Sequence, residues 1–294
     1  MKPLFSRVPL VTLCSLALAA CTTPEDIRKN QTTTKLVLNT SGLTKDAYIE
    51  VNHHLGQYKL HYKTNDLSIR PRQTVVFVHG TPGSWSSFSK YYLEQPFEQE
   101  FRLISLDRPG WGESSYPGDA FPLSLETQSQ LLGPMLKSIW ESNDRQKYTL
   151  VGHSLGGSLV PLLAADYPQY IKGVVILAGD LDAKLAAARW YNHVLDWVPE
   201  AIIPDIWKHS NDEVLALSPG LANAREKFSA ITQPIQVIQG TDDELVRPNN
   251  ASLATSLFKN SKVQVKWLAG AGHIINLTHV DDVKQAIREI SHNP

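Results

Sequence analysis

Ser154 stands in Gly152-His153-Ser154-Leu155-Gly156, a Gly-x-Ser-x-Gly run. A serine hydroxyl is a poor nucleophile unless an imidazole takes its proton and a carboxylate holds that imidazole in the correct tautomer. The chain offers both downstream. Asp243, in Gly240-Thr241-Asp242-Asp243, follows the serine by 89 residues, and His273, in Gly270-Ala271-Gly272-His273, follows by 30 more. The chemistry of such a set is acyl transfer to water. Asp242 stands beside Asp243 and can instead cap or brace the same loop, so either of two adjacent carboxylates is available. The tetrahedral intermediate needs two N–H donors. These are assigned to Leu155, at the start of the helix after the nucleophile, and Thr81, in the loop His79-Gly80-Thr81-Pro82-Gly83.

Groups so far apart in the chain meet only if the fold brings their loops together. Short apolar runs rich in branched residues recur: Val75-Val76-Phe77-Val78, Leu103-Ile104-Ser105-Leu106, Tyr148-Thr149-Leu150-Val151, Val174-Val175-Ile176-Leu177, Ile235-Gln236-Val237-Ile238 and Val263-Gln264-Val265. Most are near-continuous rather than alternating, as strands buried on both faces must be. Helical patterns lie between them at residues 123–140, 155–165, 249–257 and 280–290. Strand and helix alternating in this way predict a mostly parallel sheet covered on both sides. Ser154, Asp243 and His273 each follow a strand of this pattern, so their loops converge on the carboxyl edge of one sheet. Alternating residues 49–51 and 58–62 around Leu55-Gly56 predict an opening hairpin.

With these elements in place, the chain resembles a lidded, esterase-like α/β-hydrolase over nearly all of residues 48–292. Four motifs match in order. Val78-His79-Gly80-Thr81-Pro82-Gly83 resembles the family's His-Gly-x-Pro loop, which implies a backbone N–H for the oxyanion. Asp107-Arg108-Pro109-Gly110-Trp111-Gly112-Glu113-Ser114 is similar to its Asp-x-x-Gly-x-Gly-x-Ser turn. The segments of Asp243 and His273 match those bearing its acid and histidine. Chain order Ser, Asp, His is the one this fold uses. The resemblance implies a carboxylic ester of small or medium size as substrate, cleaved through an acyl-enzyme. A nucleophilic aspartate at the elbow marks haloalkane and epoxide hydrolysis in the family, and Ser154 disfavours both. Amide or carbon–carbon bond hydrolysis is the alternative, as is a catalytically silent envelope scaffold. Thr81 and His153 differ from the glycine and tryptophan usual in prolyl aminopeptidases, which weakens the amide reading.

The domain plan has one interruption. Residues 181–228 contain no strand-like run and read as an inserted helical lid, dividing the core into residues 46–180 and 229–294. Trp190, Trp197 and Trp207 are expected to bury, either as the lid's own core or as a wall of the substrate pocket. Trp85 and Trp111, in loops near the active edge, are candidate pocket residues. Asp107 reads as a turn-holding carboxylate, and His79 and His153 as supporting rather than proton-shuttling residues.

Lys2 and Arg7 precede an apolar stretch over residues 8–20 that fits a secretory signal. It ends in Leu18-Ala19-Ala20-Cys21, which resembles a bacterial lipobox with Cys21 as the lipidated residue. Thr22 rather than Asp follows, pointing to an outer-membrane protein facing the periplasm. The only cysteines are Cys14 and Cys21, so loss of residues 1–20 leaves no thiol for disulfides or thiolate catalysis. Residues 21–45 are polar and Thr-rich and read as a lipidated N-terminus and flexible linker, with Leu36-Val37-Leu38 the one stretch that can pack on the domain. Lys and Arg total 28 against 29 Asp and Glu, a net charge of −1, which becomes −3 when the leader's Lys2 and Arg7 are removed. Without a basic run, nucleic-acid binding has no electrostatic support. No His-Glu-x-x-His, dinucleotide fingerprint or Walker motif occurs, so neither a metal nor a cofactor is implied. The expected partners are a small acyl substrate and, through the lipid, a membrane.

Overall fold

Residues that alternate along a strand face opposite sides of a sheet, so a run apolar at every position requires a hydrophobic layer on each side. The computed structural model, which describes residues 24–69, 71–199 and 202–292, has that arrangement. Its strands are β1 (Lys45–His53), β2 (Gly56–Thr64), β3 (Thr74–Val78), β4 (Arg102–Leu106), β5 (Tyr148–His153), β6 (Ile171–Leu177), β7 (Ile235–Gly240) and β8 (Val263–Leu268). They form one eight-stranded sheet in the order β1-β2-β4-β3-β5-β6-β7-β8. β1, β2 and β4 pair antiparallel, with Val51 opposite Tyr58 in the predicted hairpin, and all other pairs are parallel. β3, β4, β5 and β7 are buried throughout, whereas edge strand β8 is half exposed.

Val76 and Val78 enter one core with residues of α3 (Leu125–Ser142), α4 (Leu155–Asp166), α6 (Asp205–Ser229) and α7 (Asn249–Leu257). Val75 and Phe77 enter the other, with a 3₁₀ segment (Trp85–Leu93), α2 (Phe97–Glu100), α8 (Ile275–Thr278) and α9 (Val280–His292). Ser124 caps α3 by accepting the N–H of Thr127 at 3.0 Å. The mostly parallel sheet flanked by helices is as expected.

Two expectations are corrected. Residues 24–39, read as flexible linker, form helix α1 (Pro24–Asn39). Glu25 and Asp26 sit in its first turn, where the helix dipole favours them, and Lys29 pairs with Glu25 at 2.7 Å one turn on. The threonines that suggested a tether donate to carbonyls four residues back, Thr33 to Lys29 and Thr34 to Asn30, both at 2.9 Å. Val37 alone is buried, while Leu36 and Leu38 point outward. Asn30 and Thr34 fasten the helix to the 3₁₀ segment through Ser86 and Ser89. One buried apolar side chain leaves no hydrophobic period to read. The leader and the lipidation call at Cys21 lie outside the described residues, and among these no helix is long and apolar enough to cross a membrane.

The lid region holds α5 (Trp190–Asp196) and α6, but its tryptophans are not buried. Trp190, Trp197 and Trp207 are 65%, 87% and 41% exposed. The lid is held to the core through α6, where Leu217, Leu221, Ala224 and Phe228 pack against the sheet layer. α5 is joined to α6 by polar contacts, Asn192 donating to Asn211 Oδ1 at 3.0 Å and Asn211 returning a bond to the Asn192 carbonyl at 3.1 Å. These polar links tie α5 to α6 without covering the three indoles.

Candidate active site

Ser154 sits between the end of β5 and the start of α4 with φ +56° and ψ −123°. That conformation is costly for a residue with a Cβ and persists only where the surroundings enforce it. The enforcement is visible: the Ser154 N–H donates to the Leu177 carbonyl of β6 at 2.9 Å. Strand and helix also approach too closely for side chains at the flanking glycines. A Cβ at Gly152 would lie 2.2 Å from the Gly156 carbonyl oxygen, and one at Gly156 would lie 2.2 Å from that of Val78. The glycines of the motif thus permit the turn that puts the hydroxyl at the sheet edge.

The acid and the histidine meet. His273 Nδ1 lies 3.0 Å from Asp243 Oδ2, with Asp243 buried. Asp243 Oδ1 accepts the N–H groups of Leu245 and Val246, each at 2.9 Å, and Oδ2 also accepts from Gln239 Nε2 at 3.0 Å. Burial pushes the Asp243 carboxyl up, but the bond and charge of His273, with the Val246 and Gln239 donors, outweigh it and hold the group below the usual carboxylate range. A carboxylate can only accept, so Nδ1 carries a proton, and in the neutral imidazole this tautomer leaves the lone pair on Nε2. Asp242 is exposed and takes its hydrogen bond from Thr241 Oγ at 2.8 Å, so of the two adjacent acids it is Asp243 that reaches the histidine.

Ser154 and His273 are neighbours through His153, whose Nε2 donates to the His273 carbonyl at 2.9 Å and whose ring centroid is 4.8 Å from that of His273. Ser154 Oγ and His273 are not hydrogen-bonded to each other among the described residues. Catalytic hydrogen bonds of this kind commonly close only around a substrate. The Thr81 loop lies against the serine: a Cβ built on Gly80 would sit 3.3 Å from Ser154 Oγ. Leu155 opens α4, so its N–H belongs to the positive end of a 12-residue helix directly after the serine.

Trp111 is buried at the junction of core and lid and donates from Nε1 to Glu213 Oε1 of α6 at 3.1 Å. Trp85, expected beside the pocket, is instead part of the core that includes Phe77 and Phe88, with Lys63 Nζ 4.8 Å above its ring. Its N–H donates to Asp107 Oδ1 at 2.6 Å, and Asp107 Oδ2 takes the Glu113 N–H at 2.8 Å and His61 Nδ1 at 2.7 Å. Asp107 thus braces two loops at the active edge, as a turn-holding carboxylate does.

Sequence reasoning passed over several residues. Gln239, which steadies Asp243, had a signal: it is polar within a buried strand. Asp180, after β6, is buried and accepts from Asn250 Nδ2 at 2.8 Å; burial, only partly offset by that bond, pushes its carboxyl up to about 6. Arg108 and Glu213 form a buried ion pair across 2.6 Å.

Two histidines flank the site as neutral groups. Burial and the nearby His273 push His153 down to about 3, and burial with the Arg108 charge holds His79 well below its ordinary value. The unfolded chain therefore takes up protons as pH falls through 6.5 while these folded rings do not, so acid favours unfolding. His61 works in the opposite sense: burial lowers it, but Asp107 and Asp46 outweigh this and raise it. The His153 part is separable with His153→Gln, which keeps a side-chain N–H donor. Urea midpoints of the two proteins are expected to diverge below pH 6.5, wild type losing about 1.4 kcal/mol relative to the variant per pH unit. Parallel curves between pH 7 and 4 would refute the neutral buried ring.

Comparison with known proteins agrees with this architecture. The alpha/beta hydrolase fold family model matches residues 73–209. The chain is 31% identical to epoxide hydrolase 4 of Mus musculus over 108 residues, 37% of this chain and 28% of that protein. It is 33% identical over 110 residues to the 2-hydroxy-6-oxononadienedioate/2-hydroxy-6-oxononatrienedioate hydrolase of Escherichia coli O139:H28, 36% of each chain. The chain thus spans about a third of the length of these relatives. A putative lipase from Acinetobacter baumannii superposes with a TM-score of 0.60 at 18% identity, covering 90% of this chain and 97% of that one. At that identity the likeness is one of fold, and the chain has the α/β-hydrolase fold.

Proposed function

We propose that this protein is a serine hydrolase that cleaves small or medium carboxylic esters through an acyl-enzyme. The observation that carries the reading is the buried Asp243–His273 hydrogen bond, 3.0 Å long, beside a strained serine against which the Gly80 loop is packed. In this reading Ser154 Oγ attacks the carbonyl carbon while His273 Nε2 takes its proton. The oxyanion forms against the N–H groups of Thr81 and Leu155. The imidazolium, held by Asp243, then protonates the leaving alkoxide, and water clears the acyl-enzyme by the same steps in reverse.

The nucleophile's identity separates this chemistry from that named for the mouse relative. Attack of a serine oxygen on an epoxide carbon would leave an ether, which an activated water cannot clear. Attack on a carbonyl leaves an ester, which it can. Turnover of p-nitrophenyl esters from acetate to palmitate, with an aminoacyl-anilide alongside, tests the reading. Hydrolysis is expected to be fastest among the short and medium esters and slower on the anilide. A faster anilide would move the assignment to amides. No turnover of any substrate, together with no labelling by a fluorophosphonate, would favour a silent scaffold.

A further inference from the structure

Arg108 and Glu213 make a fully buried ion pair between the core and the lid helix α6. It is bidentate, with Arg108 Nη1 2.6 Å from Glu213 Oε1 and Nη2 3.0 Å from Oε2. Glu213 Oε1 is further satisfied by Gln128 Nε2 at 2.8 Å and Trp111 Nε1 at 3.1 Å. Burying two charges is costly, and a hydrophobic pair could fill the same space, so such a pair by itself is weak evidence of a stabilising purpose. What Arg108 does with its remaining donors is informative. Its Nε donates to the His79 carbonyl at 3.0 Å and its Nη2 to the Gly80 carbonyl at 2.9 Å. Its backbone N–H donates to His79 Nε2 at 3.0 Å, and His79 Nδ1 returns a bond to the Gly80 carbonyl at 2.7 Å.

The Gly80 carbonyl and the Thr81 N–H belong to one peptide plane. In a trans peptide the two point in opposite directions, so fixing the oxygen aims the N–H. With Arg108 and His79 both donating, each lone pair of the Gly80 oxygen is engaged, and the Thr81 N–H meets no acceptor among the described residues. We infer that Glu213, acting from the lid through Arg108, is a positioning residue that orients the Gly80–Thr81 peptide as an oxyanion donor. This rests on the serine-hydrolase reading. It makes α6 part of the catalytic framework as well as a cover, since lifting it would take away the charge partner of the guanidinium that holds the oxyanion peptide and leave it to Gln128 Oε1, 2.7 Å from Nη1, and the loop carbonyls.

Glu213→Gln removes the charge at nearly constant shape, and Arg108→Gln/Glu213→Gln removes both charges, so that no unpaired ion is buried if the single variant fails to fold. Rates are normalised to the serine titrated by a fluorophosphonate, so that misfolded protein does not count. Each folded variant is expected to lose about 10- to 100-fold in kcat with KM within about threefold, less than complete removal of an oxyanion donor. Affinity for a trifluoromethyl ketone, whose adduct with the serine carries an oxyanion, is expected to fall by the same factor. Affinity for the carboxylic acid product should stay within about threefold. Unchanged normalised kcat and ketone affinity would overturn the inference, as would a rise in KM alone, the signature of a lid that only binds substrate. An unlabelled, inactive wild type would instead remove the serine-hydrolase reading on which it stands.

Discussion

Ser154→Ala is expected to lower ester turnover by at least about 10⁴-fold and to abolish fluorophosphonate labelling, leaving only what the oxyanion donors and substrate binding supply. The fold should survive. The serine's backbone anchor, its N–H to the Leu177 carbonyl, does not involve the hydroxyl, and alanine carries the same Cβ into the left-handed conformation. KM should change little, because the hydroxyl acts in the transition state rather than in binding. Turnover above about 1% of wild type, with substrate-level contamination excluded by active-site titration, would remove Ser154 as the nucleophile.

The second large effect concerns the acid. Asp243→Asn is expected to cost on the order of 10⁴-fold in kcat, while Asp242→Asn stays within a few-fold. The reason lies in the donors around the carboxylate. Leu245 and Val246 point their N–H groups at Oδ1, so an asparagine amide must turn its oxygen toward them. Its NH₂ then faces Gln239 Nε2 and His273 Nδ1, the two groups that bond Oδ2 in the native protein. An imidazole facing a donor keeps its proton on Nε2, and the lone pair that should receive the serine proton is gone. Parallel kinetics of both variants check this. A larger loss in Asp242→Asn, or a loss under tenfold in Asp243→Asn, would reassign the acid.

Chemistry that depends on backbone constraint could be read from the linear chain. Gly152 and Gly156 are needed because strand and helix backbones touch there, and that requirement is written in the pentapeptide. The buried parallel strands were equally legible, since a strand covered on both faces must be apolar at each position. Helix α1 was not, because a helix fastened by one valine and a few side-chain hydrogen bonds carries no amphipathic period. Nor could the fate of the lid tryptophans be read, because residue type favours burial but only the paths of α5 and α6 decide what covers them.

Local order therefore specified the elbow, the order of strands and helices, and the three chemical groups. The choice between Asp242 and Asp243 was left to the turn after β7, which buries one and exposes the other. The Arg108–Glu213 pair joins residues 105 positions apart across the lid boundary, with no motif linking them. Steric and conformational demands act between near neighbours and leave a pattern in sequence. Electrostatic partnerships act through space, and their partners are known only once the chain has folded.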